Sequence, residues 1–109
     1  MSLLDRIRWK RTLRTPSSER LLGVLDDRDA VAVDLHFLAD GSVAGTVTVV
    51  DGCGVDRATV PALLERIDDD FLPGVDLDDD AVEGGVTFTV VWATGAESFE
   101  SARRYLKRE

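Results

Sequence analysis

Cys53, the only cysteine in the chain, stands between two glycines in the segment VVDGCGVDRATVPALLERI, residues 49–67. A nucleophilic cysteine needs its thiolate stabilised by a helix N-terminus or a cation, and usually a histidine to take the proton. Asp51 and Asp56 flank Cys53 instead, and like charge disfavours a thiolate. A helix starting near Thr59 begins too far along the chain for its dipole to reach the sulfur. The same stretch offers one GxG, Gly52-Cys53-Gly54, without the third glycine of a dinucleotide fingerprint or the Gly-Lys-Ser/Thr of a P-loop. The segment reads as a connection from a strand to a helix, and no catalytic residue is assigned.

Two further constellations invite a metal. Asp76, Asp78 and Asp80 stand at positions one, three and five of a calcium loop. Its sixth position is Ala81, where the turn requires glycine, and its twelfth is Thr87, where a bidentate glutamate belongs. A solvated acidic loop is the better reading. Asp34 and the only histidine, His36, are two residues apart in an alternating stretch and share a face, on which Thr46 is expected opposite Asp34. Two potential ligands fall short of the four in a structural zinc site, so an exposed polar cross-strand patch is expected, with no metal and no cofactor.

The first fourteen residues interleave an aromatic with cations: Arg6, Arg8, Trp9, Lys10, Arg11 and Arg14. Polybasic arms at nucleic acids or lipid surfaces have this composition. The charge layout frames it. The net charge is −8, but residues 1–14 carry +4, residues 103–109 carry +3, and the body between them carries −15. Phosphate repulsion opposes nucleic-acid binding by that body. The basic ends are as well suited to pairing with acidic residues of the same chain or of a second copy.

At 109 residues, 44% hydrophobic and 31% charged, the chain has the composition of one globular domain. A lone cysteine cannot form an internal disulfide, the N-terminus lacks the apolar stretch of a signal peptide, and no apolar run is long enough to span a membrane. A cytoplasmic location is expected.

The elements that must position these residues follow from periodicity. Residues 1–14 are expected as a basic helical arm, ahead of a single α+β domain over residues 15–109. Thr15-Pro16 suggests an N-cap and first-turn proline for a short helix burying Leu21, Leu22 and Leu25. AVAVDLHFL and VAGTVTVV alternate with period two and make a hairpin. A two-residue Asp40-Gly41 turn would mix its faces. A three-residue loop Ala39-Asp40-Gly41, with Gly41 left-handed, pairs Phe37 with Val43, Val33 with Val47 and Val31 with Val49. A helix from about Thr59, with Pro61 in its first turn, buries Leu63, Leu64, Ile67 and Phe71. VTFTVVWA is a further strand, and Thr94-Gly95-Ala96-Glu97 fits a capping box for a last helix. The predicted order is α-α-β-β-α-β-α. It implies a three-stranded antiparallel sheet, the third strand beside the first, with the helices on one face.

Such a sheet leaves a face lined by Ala32, Asp34, His36, Ala44, Thr46, Thr48, Thr87, Thr89 and Val91. The function expected is that of a non-catalytic protein-interaction or regulatory module working through this face, as a homodimer or with another protein. The alternative is a nucleic-acid-associated protein using its basic N- and C-terminal helices.

Overall fold

The structure is a computed structural model that describes residues 2–72 and 85–94. A short 3-10 helix, Leu3–Arg6, leads into four successive strands: β1 (Arg8–Thr15), β2 (Ser18–Leu25), β3 (Arg28–Phe37) and β4 (Val43–Val50). The helix α1 (Val60–Phe71) follows, and then β5 (Val86–Ala93). The strands form one five-stranded sheet in the order β1-β2-β3-β4-β5. Neighbours are antiparallel except β4 and β5, which are parallel.

The expected three-stranded antiparallel sheet with several helices is therefore overturned. Residues 1–14 form a 3-10 helix and an edge strand in place of a helical arm. The second expected helix is β2. From Leu21 to Leu25 both faces of β2 are buried or half-buried, and Leu21, Leu22, Val24 and Leu25, all apolar, fit a helical period as readily as a strand period. Pro16 is not a first-turn helical residue. With Ser17 it forms the two-residue loop between the paired Thr15 and Ser18. Asp26 and Asp27, with φ of 53° and 64°, close the next hairpin between the paired Leu25 and Arg28. Two positive φ values in a two-residue loop match the twist of the flanking strands, and aspartate tolerates that conformation.

The placement of β5 is the third correction. It lies beside β4, not beside β3 as expected, and it is parallel. The outer edge of β3 is already taken by β2, and of the two edges that remain β1 is charged and bulged, which leaves β4 as the edge suited to a further strand. A strand–helix–strand crossover onto a neighbouring strand arrives parallel.

Two expectations hold residue by residue. Leu38 N–H donates to the Ser42 carbonyl at 2.9 Å and Gly41 has φ +90°, closing the Ala39-Asp40-Gly41 loop. Phe37 pairs with Val43, Val33 with Val47 and Val31 with Val49. The helix begins at Val60 with Pro61 in its first turn, burying Leu63 and Ile67 fully and Leu64 and Phe71 in part. The expected last helix beyond Thr94, the acidic residues 76–80 and the basic residues 103–108 lie outside the described residues.

The core forms between α1 and one sheet face. Leu63 and Ile67 meet Val31, Val33, Leu35, Val47 and Val49, all of them inaccessible to solvent. Each such side chain contributes roughly 1.5–3 kcal/mol when fully buried. Two glycines let aromatic rings lie flat against this face. A Cβ on Gly23 would stand 3.0 Å from the Trp9 ring, and one on Gly45 would stand 2.7 Å from the Phe88 ring. Each ring belongs to the residue paired with its glycine on the neighbouring strand. Trp9 also meets Phe71 of α1 edge to face, with centroids 5.3 Å apart.

Candidate interaction surface

Pairing across the sheet sorts every strand residue onto one of two faces, because directly paired residues share a face. Opposite the core, one row runs Leu13, Arg20, Asp34, Thr46, Thr89. A second runs Lys10, Leu22, Ala32, Thr48, Val91, and a third Ser18, His36, Ala44, Thr87. Asp34, His36, Thr46, Thr48, Thr87 and Thr89 thus lie together on one face. The alternation within each strand already implies this, whatever the order of the strands.

Leu13, Arg20, Leu22 and Val24 also lie on this face, and sequence reasoning missed them because their segments were read as helical. The alternation of β1 puts Trp9 and Arg11 on the core face and Lys10 on the open face, and it breaks once at Thr12, which turns Leu13 to the open face. The pairing steps from Arg11–Leu21 to Leu13–Arg20, and this bulge hides the period.

The face divides by charge. Arg8, Lys10, Arg20, Asp34 and His36 occupy its β1–β3 half. Arg20 Nε donates to Asp34 Oδ1 at 2.6 Å, joining neighbouring strands. The β4–β5 half presents Ala44, Thr46, Thr48, Val50, Thr87, Thr89, Val91 and Ala93, all uncharged. Thr46 and Thr48 are half-buried, whereas Thr87, Thr89 and Val91 are exposed. Leu13, Leu22, Ala32, Thr48 and Val50 line a shallow, mainly apolar cleft of about 400 Å³ toward the middle.

The basic residues of the first segment take different places. Arg6 reaches Asp26 at 2.7 Å and Arg8 reaches Asp27 at 3.3 Å, clasping the aspartate turn of the β2–β3 hairpin. Arg11 pairs with Glu19 on the core face, where the glutamate is buried. Trp9 packs into the core as described. Lys10 and Arg14 are exposed and make no ion pair among the described residues. Three of the five cations are therefore engaged within the chain, which leaves fewer for phosphate.

Cys53 and His36 are not brought together. His36 is exposed on the open face at the end of β3 near the Ala39-Asp40-Gly41 loop, and Cys53 follows the opposite end of β4. Cys53 is half-buried against the core, and its N–H donates to the Val50 carbonyl at 3.2 Å. Gly52 and Gly54 hold φ of +82° and +104°, so both glycines serve the turn. Asp56 then closes the turn ahead of the helix. Its Oδ1 accepts from the Thr59 hydroxyl at 2.7 Å and from the Thr59 N–H at 3.0 Å, in that order holding its carboxyl below the ordinary 3.8. No group of metal-binding side chains occurs among the described residues, and no described helix is long and apolar enough to cross a membrane.

No family model, curated protein or solved structure matches this chain. Its surfaces must therefore be read from their own chemistry.

Proposed function

We propose that the chain is a non-catalytic protein-interaction module that works as a homodimer and holds a protein partner on the open sheet face. The observation that carries this reading is the uncharged β4–β5 half of that face in a chain of net charge −8. Among the described residues, none lies over it as α1 lies over the other face. Flat surfaces of small and β-branched side chains stack against similar surfaces with little loss of side-chain entropy, as packed sheets do. Depletion of charge in one part of a surface, with charged groups beside it, is also the composition of interface cores and rims.

The test is recovery of a tagged copy from its own cells, comparing the wild type with Thr48→Arg. Thr48 lies in the middle of the face and its side chain points away from the core. A protein retained by the wild type and lost with Thr48→Arg, at unchanged circular dichroism, is the expected outcome. The same proteins retained by both forms, or none by either, would count against the reading.

A further inference from the structure

The two edges of the sheet are built differently. β1 carries Arg8, Lys10, Arg11 and Arg14 and a bulge between Arg11 and Leu13, devices that keep an edge from pairing with another chain. β5, VTFTVVWA, has no charge and no proline, and it pairs with β4 without a break along its length. The carbonyls of Gly85 and Ala93 point toward β4, accepting from the N–H groups of Val43 at 2.9 Å and Asp51 at 2.6 Å. Alternation then turns the N–H and C=O groups of Val86, Phe88, Val90 and Trp92 to the outer edge. Among the described residues nothing pairs with them.

We propose that two copies of this chain join edge to edge through β5, running antiparallel about a two-fold axis at Thr89. This deepens the homodimer reading, on which it rests, by naming the surface. In that register Val86 meets Trp92 of the second copy and Phe88 meets its Val90. Every outward backbone group of β5 then finds a partner, because all four residues fall in hydrogen-bonded pairs. A register centred on Val90 would carry Val86 past the end of the strand. Side chains agree with the backbone. Thr89 faces its own copy, Thr87 faces Val91, and the aromatic Phe88 and Trp92 face valines, all favourable cross-strand pairs with no charge among them. Both copies keep α1 on the same side, so the open faces merge into one sheet of doubled width.

The second copy is favoured over a foreign strand because β5 is complementary to itself in both respects. The contact is one strand long, about 27 Å. Its area falls at the low end of specific interfaces, below about 1,200 Å² in total, so the association is weak. Repulsion between copies of net charge −8 opposes it, and added salt should strengthen it.

Sedimentation equilibrium at ~100 μM, a concentration suited to weak dimers, compares the wild type with Val90→Pro. That proline removes an outward N–H and leaves the ladder to β4 intact. The wild type should contain dimer, more at ~0.15 M than at ~0.01 M salt, and Val90→Pro should be monomeric. Because the proline could also loosen the fold, a second pair of variants carries the test independently. In a Cys53→Ser background, Thr89→Cys should form a disulfide-linked dimer in a glutathione buffer, since non-hydrogen-bonded antiparallel partners place their Cα atoms about 4.5 Å apart. Thr46→Cys, in the interior of the same face, should not. Wild type that is monomeric at both salt concentrations would overturn the dimer reading as a whole. Dimeric wild type with a dimeric Val90→Pro and no cross-link at Thr89 would overturn only the β5 edge.

Discussion

Gly45→Ala tests the packing of β5 against the sheet. Gly45 lies on β4 opposite Phe88, and an added Cβ would stand 2.7 and 2.8 Å from two carbons of that ring and 3.3 Å from a methyl of Leu35. Ordinary carbon contacts begin near 3.5 Å, so the ring must move by roughly 0.7 Å or more. Leu35 is wholly buried and cannot yield, which forces the displacement onto Phe88. Overpacking of this kind costs about 1–3 kcal/mol. Replacing glycine with alanine in a strand returns roughly 0.5–1 kcal/mol by restricting the unfolded chain. The net expectation is a loss of up to about 2.5 kcal/mol, read from urea unfolding midpoints at constant m value. Phe88→Ala is destabilising by itself, since it removes a half-buried ring from the core. It also removes the clash, so in that background Gly45→Ala should be neutral or stabilising by up to ~1 kcal/mol. The cycle should then show a coupling of about 1–3 kcal/mol. Equal effects of Gly45→Ala in both backgrounds, within ~0.5 kcal/mol, would refute the account of Gly45 as the seat of the Phe88 ring.

Other perturbations follow from single positions. Gly41→Val places a branched residue at φ +90° and should cost about 1–2 kcal/mol or more in thermal or urea unfolding. Arg11→Ala leaves the buried Glu19 carboxylate without its ion-pair partner and should cost about 1–3 kcal/mol, most of it recovered by Arg11→Ala with Glu19→Leu. Asp68 has an inaccessible Oδ1 without a hydrogen-bond partner among the described residues, and burial, with repulsion from Asp69, raises its carboxyl above the ordinary 3.8. The folded state then holds that proton more tightly than the unfolded chain. The cost is absent below pH 3.8 and develops as the pH rises through the folded value. Asp68→Asn should therefore raise the urea midpoint at pH 7, and by progressively less as unfolding is repeated toward pH 3.8.

Everything that depends on local pattern was legible in the residues alone. Alternation with period two identifies three strands, and the mixed faces of a two-residue turn select the Ala39-Asp40-Gly41 loop. Proline tolerance places the start of α1. The open-face positions on β3, β4 and β5 follow from the same alternation, because which face a side chain takes does not depend on which strand lies alongside. The identity of β1 and β2 and the partner of β5 emerge only from contacts between distant segments. In β2 the residues are apolar on both faces, so Leu21, Leu22 and Leu25 carry no period that separates strand from helix, and the bulge at Thr12 breaks the alternation of β1. The Asp26-Asp27 and Pro16-Ser17 loops lack the Asn-Gly or Asp-Gly that would announce a hairpin. Once β2 occupies the outer edge of β3, the crossover through α1 ends beside β4, the edge without the charges and bulge of β1. One misread strand thus moved β5 across the sheet and reversed its direction relative to its neighbour. Gly23 illustrates the same limit: in isolation it is a weak helical residue, and its purpose appears only with the Trp9 ring lying over it.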